Sequence, residues 1–335
     1  MDQRRMCPHC RAFITSHDKV CPYCNEKVGP RAAERGDTGG GILGGFIPQA
    51  RFVTMIILLI NAGLFVATVV FSQRSGRSSG FLDVDGQTLL AFGAKYRAAI
   101  FGYGQWWRLV TAGFLHGGLL HIAMNSWVLF DLGAEVEGTY GGSRLIVIYF
   151  LATVFGFLAS SIWTPALSVG ASAGIFGLIG AMIALGVRHK ASAMGGAIRG
   201  MYLRWAIYGL VFGLLPGLHI DNAAHIGGLA AGFGVAYVAG TPRIETAWSE
   251  RLWRAAAAAC VILTAVSFLE MYLWFSRVTQ YNESNATPFR PISAYDRRGS
   301  VTAHADSGAR QDALQNEPEG YEGQEIQAQQ EAQGA

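Results

Sequence analysis

Long apolar segments recur along the middle of the chain, each about as long as a helix that crosses a bilayer. The first runs over Phe52–Phe71 and is interrupted only by Thr54, Asn61 and Thr68. Further segments bring the number to about seven: Leu109–Leu132, Leu145–Trp163, Val169–Val187, Met201–Leu218, Ala224–Val238 and Leu252–Trp274. The pattern predicts an all-α membrane protein with several spanning helices.

The composition supports this prediction, because 51% of the residues are hydrophobic and only 15% are charged. A mean hydropathy of +0.28 is more apolar than that of a typical soluble chain. The net charge of +3 is small, and no basic stripe is interleaved with aromatic residues. We therefore expect the lipid bilayer as a partner and no nucleic acid. Met1–Ala50 has no apolar core near its start, so no cleavable signal peptide is expected.

Two C-x-x-C pairs stand near the amino terminus, the first formed by Cys7 and Cys10 and the second by Cys21 and Cys24. Four thiolates at this separation can surround one tetrahedral Zn²⁺, as in a zinc ribbon. Two disulfides or a redox motif are the alternatives. Metal-binding cysteines belong to a reducing compartment, so the pattern predicts a structural zinc ion and a cytoplasmic amino terminus. No cofactor is expected for catalysis.

Changes of composition divide the chain into parts. We predict a zinc ribbon at 1–28, a Gly-rich linker at 29–50, a membrane core at 51–240, an additional C-terminal transmembrane helix at 241–277 and a disordered polar tail at 278–335. Within the core, the segment Ser72–Trp107 is mixed and aromatic, which is typical of a segment at the membrane interface.

The distribution of basic residues predicts the orientation in the membrane. The loop between the fourth and fifth spans is flanked by Arg188, Lys190, Arg199 and Arg204. The loops at Pro165 and at 219–222 have no Lys or Arg, although Lys95 in the long first loop runs against the bias. The positive-inside rule places the basic loop and the amino terminus in the cytoplasm, and an odd number of spans places the carboxy terminus outside. We expect a multi-pass protein of a bacterial inner membrane.

Polar side chains within the spans are informative, because hydrocarbon is a costly environment for them. They lie early in the second, fourth and sixth spans, which all enter from the outer side: His116, His121, Asn125, Ser172 and His225. Three segments therefore bring polar groups to a similar shallow depth on one side of the membrane.

Ser172 stands among glycines at the start of the fourth span. The spacing of Gly170, Ser172 and Gly174 also fits the nucleophile elbow of soluble hydrolases, but that motif needs a strand before the serine. The preceding run Leu145–Trp163 is too long for a strand. A serine becomes a nucleophile when a base removes its proton, and His225 is the best-placed base.

Small residues predict how these two groups meet. Gly170 and Gly174 on the fourth span and Gly228 and Gly232 on the sixth are spaced for close helix approach. Donors for a developing oxyanion are available from the Ser172 backbone N–H, the Asn125 amide and His121. Asn125 follows His121 by one helical turn, so both project from one face. Asp221 fits a loop at the membrane surface better than a third catalytic position.

Together these residues resemble the rhomboid intramembrane serine proteases over roughly Phe52 to Gly240. The resemblance is carried by Trp107-Arg108, His116, the HxxxN pattern from His121 to Asn125, Glu137, Gly170-Ala171-Ser172 and Ala224-His225-Ile226-Gly227-Gly228. It implies a six-helix core, with Ser172 as nucleophile and His225 as general base in a dyad. It also implies that His121 and Asn125 line the oxyanion site, and that the substrates are transmembrane proteins cut near the outer membrane face.

Two positions depart from the family pattern. Ala173 replaces a usual glycine, and its Cβ is expected to bear on the oxyanion pocket. Phe176 replaces a common tyrosine and can still stack on the His225 ring. Arg108 and Glu137 are interpreted as structural partners, and Cys260 as a packing residue.

Other functions remain open at this point. A lone serine in a Gly-rich membrane helix is more typical of packing than of catalysis, and a rhomboid-like pseudoprotease would bind transmembrane clients without cutting them. A transporter would need charges near the midplane and broken helices in matched halves, which the sequence does not show clearly.

Overall fold

The structure is a computed structural model. It describes residues 4–7, 13–15, 18, 20–24, 51–75, 82–216, 220–241 and 247–284. Contacts divide the chain into two units, Met1–Phe52 and Val53–Ala335, and each is treated by itself. The predicted linker at 29–50 and tail at 278–335 lie almost wholly outside the described residues.

The amino-terminal unit contains a two-stranded antiparallel sheet. Strand β1 (Arg4–Met6) pairs with β2 (Phe13–Thr15), with Met6 opposite Phe13. Asp18 accepts a hydrogen bond from the Thr15 backbone N–H at 2.7 Å and so holds the chain just after β2. Cys7 directly follows β1, and Cys21 and Cys24 lie in the turn after β2.

The regular elements described in the second unit are helices, apart from one isolated β-bridge. Its long helices are α1 (Phe52–Arg74), α5 (Leu119–Tyr140), α6 (Gly142–Trp163), α7 (Ser172–Arg188), α8 (Ala193–Phe212), α9 (Asn222–Ala239) and α10 (Ala247–Ser284). Between α1 and α5 lie the short helices α2 (Gly86–Ala91), α3 (Arg97–Phe101) and α4 (Arg108–Thr111) and a 3₁₀ turn at Ala112–Phe114. The all-α prediction is confirmed.

Three of the described helices are long and apolar enough to cross a membrane by length and composition alone: Phe52–Arg74, Gly142–Trp163 and Trp248–Ser276. Helix α7 has 17 residues and is equally apolar but shorter. It is buried along nearly its whole length, so its neighbours, not lipid, cover most of its apolar surface.

Two predicted spans have the wrong bounds. The second, Leu109–Leu132, is broken at Leu115–Gly118, and α5 begins only at Leu119; Gly118 packs against the Leu82 carbonyl oxygen, where a Cβ would collide. The fifth, Met201–Leu218, begins instead at Ala193, where the Ser192 side chain accepts a hydrogen bond from Gly195 N–H at 3.0 Å. Hydropathy alone missed that capped first turn.

Helix α7 packs most closely on α9, but not through the predicted glycines. Gly170 precedes α7 and faces α5, and Gly174 faces the Tyr149 ring of α6. The contact is made by Ala173 and Gly177 of α7 against Gly228 and Gly232 of α9. The prediction named the contacting glycines of α9 correctly and those of α7 wrongly. The face of α7 that meets α9 depends on where that helix begins.

Buried charges tie helix ends together. Glu137 of α5 accepts hydrogen bonds from the Val53 and Thr54 backbone N–H groups at 2.9 and 3.0 Å and from Thr54 Oγ1 at 2.7 Å, so it caps the start of α1. Arg144 of α6 forms a 2.9 Å ion pair with Glu250 of α10. These contacts join helices that the loops between them do not fix.

Arg108 is fully buried in the segment before α5. Its Nη1 donates to the carbonyl oxygens of Leu90 and Ala94 at 2.8 and 2.9 Å, and its Nε donates to Gln105 Oε1 at 2.6 Å. Its guanidinium lies 4.6 Å from the ring centroid of Trp107 and 5.3 Å from that of Trp274. Arg108 therefore organises the first loop and attaches it to α10.

Candidate active site

Ser172 is the first residue of α7, and the turn before it fixes its position. Gly170 has φ +136°, a conformation that side chains rarely adopt, and its N–H donates to the Ala112 carbonyl at 3.0 Å. Within the described residues, no side chain caps the first turn of α7. The N–H groups at this helix start are thus oriented toward a site for negative charge.

Lys95 holds the loop that leads to Ser172. Its Nζ donates to the carbonyl oxygens of Thr164 and Ala166, both at 2.9 Å, and its backbone pairs with that of Ser168 in an antiparallel bridge. Burial lowers the pKa of Lys95 to about 8, although Asp221 opposes the shift. From the sequence, Lys95 is only a charge in the first loop, because hydropathy gives no sign that a lysine is buried.

His121 lies beside this turn. A Cβ at Gly170 would be 2.8 Å from His121 Nε2 and 3.5 Å from Ser172 Oγ, so the imidazole and the hydroxyl flank one point. The Gly117 N–H donates to His121 Nδ1 in a long hydrogen bond of 3.4 Å. Because Nδ1 accepts, the ring proton is assigned to Nε2, which makes His121 a donor toward the Ser172 turn.

Asn125 and His116 accompany His121. Asn125 is buried one turn further along α5. His116 is fully buried in the break before α5, and its ring meets that of His121 edge-on with centroids 5.1 Å apart. His116 therefore packs behind His121, on the segment that hydropathy had assigned to a continuous helix.

His225 is buried near the start of α9 and stacks on Phe176 of α7. The ring centroids are 4.0 Å apart and the planes are inclined by 11°. Phe176 follows Ser172 by one helical turn, so the stack places the imidazole on the Ser172 side of α7. Nδ1 of His225 has no hydrogen-bond partner within the described residues.

Asp221 lies one turn before His225 and is engaged elsewhere. One carboxylate oxygen accepts from the Ala224 N–H at 3.0 Å as the N-cap of α9, and the other accepts from Ser160 Oγ of α6. With both oxygens occupied, Asp221 secures the start of the helix that holds His225. The Asp221 backbone carbonyl accepts from the His225 N–H at 3.1 Å, and within the described residues the carboxylate makes no hydrogen bond to the ring.

Ala173 is accommodated on the side of α7 away from the Gly170 turn. Ala173 is fully buried, and its Cβ lies 2.9 Å from where a Cβ added at Gly156 of α6 would be. Its carbonyl oxygen packs against Gly228 of α9. Glycines on both neighbouring helices thus make room for the extra methyl group.

In the amino-terminal unit, the sulfur atoms of Cys7, Cys21 and Cys24 lie within 4.8 Å of one another. The Cys7 and Cys24 sulfurs are 3.8 Å apart, too far for a disulfide. A tetrahedral site with Zn–S bonds of about 2.3 Å has S–S edges of roughly 3.8 Å, so the spacing fits zinc. Cys10, the fourth predicted ligand, lies outside the described residues.

Comparisons with known proteins identify the family. The Rhomboid domain matches residues 103–242. The chain is 38% identical over 191 residues to Rhomboid protease GluP of Bacillus subtilis (strain 168), which covers 55% of this chain and 35% of that protein. It is 33% identical over 189 residues to Rhomboid-like protease 3 of Toxoplasma gondii, covering 54% of this chain and 70% of that protein.

The chain belongs to the rhomboid family and is an integral, multi-pass, all-α membrane protein. The predicted resemblance is confirmed at this level. The match reaches only 35% of the length of the Bacillus relative and 43% of RHOMBOID-like protein 4 of Arabidopsis thaliana, with which identity is 29% over 185 residues.

Proposed function

We propose that this protein is an intramembrane serine endopeptidase that uses a dyad of Ser172 and His225. One observation supports the proposal: histidines from two other helices lie against the first turn of α7, which begins at Ser172. His121 of α5 flanks the Ser172 turn at Gly170, and His225 of α9 stacks on Phe176 one turn further on. A serine with a base on one side and a ring N–H donor on the other suits acyl transfer.

In the proposed reaction, Ser172 Oγ attacks the scissile carbonyl carbon while its proton passes to His225. The oxyanion is stabilised by the Ser172 backbone N–H, by His121 Nε2–H and by the Asn125 amide. Collapse of the intermediate expels the amine, which takes the proton from His225. Water then attacks the acyl-enzyme, with His225 accepting its proton and returning one to Ser172.

The proposed substrate is a single transmembrane helix that enters between α5 and α8. These two helices are joined by a hydrogen bond at 2.5 Å from the Tyr202 hydroxyl to Glu135, and α8 packs mainly on α7. An intact helix hides its carbonyls in hydrogen bonds, so Gly, Ala or Ser near the scissile bond and a helix breaker below it should favour cleavage.

A fluorophosphonate probe tests the nucleophile. In intact membranes the probe should label the parent protein and not Ser172→Ala. Equal labelling of both would contradict the dyad. Retention of a transmembrane client by both proteins, without labelling or cleavage, would instead favour the pseudoprotease.

We also propose that Cys7, Cys10, Cys21 and Cys24 hold one structural zinc ion in the cytoplasm and that it is accessory to catalysis. The close sulfur atoms of three of these cysteines support the proposal. We further propose domain boundaries at 28, 50, 240 and 277. We also propose that the carboxy terminus lies outside a bacterial inner membrane. A cysteine placed at Ser307 in a Cys260→Ala background should react with an impermeant reagent from outside.

A further inference from the structure

A groove of about 580 Å³ opens between the first loop, α6 and α10. The lining residues that carry polar or aromatic groups are Tyr103, Gln105, Trp106, Trp107, Glu270 and Trp274. The groove lies at the same end of the helical unit as Ser172. Arg108, next to the lining residue Trp107, donates to the Ala94 carbonyl oxygen. The residue after Ala94, Lys95, holds the loop that leads to α7. The proposed catalytic groups do not line it.

Glu270 is the unusual member of the groove. It is exposed on α10, within the stretch Trp248–Ser276 that is apolar enough to cross a membrane. Among the described residues no Lys or Arg forms an ion pair with Glu270. Glu270 stands near the end of that stretch, so its carboxylate can reach the headgroup level and pair there with a cation.

Two of the lining residues carry buried donors. Gln105 and Trp274 are each 3% exposed, and Gln105 Nε2 and Trp274 Nε1 have no hydrogen-bond acceptor within the described part of the chain. The Arg108 guanidinium lies 5.3 Å from the Trp274 ring, so positive charge also backs this wall. Donors and positive charge suit the acceptor-only oxygens of a phosphate or an ester.

The remaining wall is apolar and comes from two membrane helices, with Phe150 and Val154 on α6 and Leu263 and Val266 on α10. The volume is in the range of small-molecule sites. Aromatic rings at the membrane interface, here Tyr103 and Trp106, favour a cationic amine over their faces. A ligand that matches the carboxylate, the donors and the apolar wall must combine a cation, acceptor oxygens and a hydrocarbon chain.

We propose that this groove binds one phospholipid with a cationic amine headgroup. The ammonium lies beside Glu270 and the rings of Tyr103 and Trp106, the phosphate and ester oxygens accept from Gln105 and Trp274, and an acyl chain follows the apolar wall. An anionic headgroup would place its net charge against Glu270. The lipid then fastens α10 to the first loop.

Native mass spectrometry of the full-length protein tests this, with phosphatidylethanolamine and phosphatidylglycerol offered in equal amounts. The parent should retain one phosphatidylethanolamine with about tenfold preference, which Glu270→Gln should abolish. Asp131→Asn is the matched control, because it makes the same change at an exposed acid on α5 and should keep the preference.

Val266→Trp, which fills the apolar end, should lower retention of both lipids about tenfold with an unchanged melting temperature. Equal retention of the two lipids by the parent, or an undiminished preference in Glu270→Gln, would overturn the proposal. Displacement of the lipid by an equal concentration of free phosphoethanolamine would also overturn it, since the acyl chain would then contribute nothing.

Discussion

Phe176 stacks on the imidazole of His225, with ring centroids 4.0 Å apart and planes inclined by 11°. The Asp221 carboxylate accepts from Ala224 N–H and Ser160 Oγ and makes no hydrogen bond to the His225 ring within the described residues, so the stack is the contact that orients the proposed base. An aromatic face also favours the imidazolium that forms when His225 takes a proton.

Phe176→Leu should therefore lower kcat on a transmembrane substrate by at least about tenfold, because a misplaced base costs rate steeply. The swap also removes buried ring atoms and the stack, so it should cost about 1 to 3 kcal/mol of stability. Phe176→Tyr retains the stack and should keep most of the activity. Activity in Phe176→Leu equal to that of the parent would show that the stack does not position His225.

Gly170→Ala should lower the activity about 100-fold, because the new Cβ would lie 2.8 Å from His121 Nε2 at a residue with φ +136°. The strained turn should also cost about 1 to 3 kcal/mol of stability. Gly138→Ala is the matched control, since open space surrounds that glycine near the end of α5, and it should stabilise by up to about 1 kcal/mol. Activity assays and thermal unfolding of both variants check this.

Lys95 gives a pH dependence with a definite sign. Its folded pKa is lowered to about 8 from 10.5 by burial, so between these values the unfolded chain holds a proton that the folded chain has released. The free energy of unfolding should rise with pH over this window, and the cost of burying the charge is felt below pH 8.

The melting temperature of the parent, relative to Lys95→Met, should therefore increase from pH 8 to 10.5. Lys190→Met removes an exposed lysine, so the melting temperature of the parent relative to this variant should not change over the same pH range. A parent that loses stability relative to Lys95→Met as pH rises would contradict the buried position of Lys95.

Zinc should be present at about one ion per chain in purified protein, and Cys7→Ser should lower that content. Elemental analysis measures it directly. Cys260→Ser is the control, because that cysteine packs between α10 and α6, and its loss should leave the zinc content unchanged. A disulfide between Cys7 and Cys10 in non-reducing mass spectrometry would exclude the zinc site.

The sequence predicted the helical class and most helix positions, because spanning segments must be long and apolar. It failed where a local interaction decides a boundary. At the break before Leu119, Gly118 packs against the Leu82 carbonyl, and at the start of α8 the Ser192 side chain caps the first turn. Neither contact leaves a mark in hydropathy.

The candidate site was predicted less completely. Ser172, His225, His121 and Asn125 were named from spacing and resemblance, and the structure places them on α7, α9 and α5. Lys95 was missed as a positioning residue, because its role depends on carbonyl groups of a distant loop. Which glycine meets which helix likewise depends on helix rotation, which composition does not reveal.

The most direct test of the dyad is proteolysis of a single-span substrate by protein reconstituted in lipid vesicles. The parent should release the cut product, Ser172→Ala and His225→Ala should release none, and Asn125→Ala should retain partial activity, since one oxyanion donor is worth about 3 kcal/mol. Cleavage by Ser172→Ala as fast as by the parent would contradict the proposed enzyme.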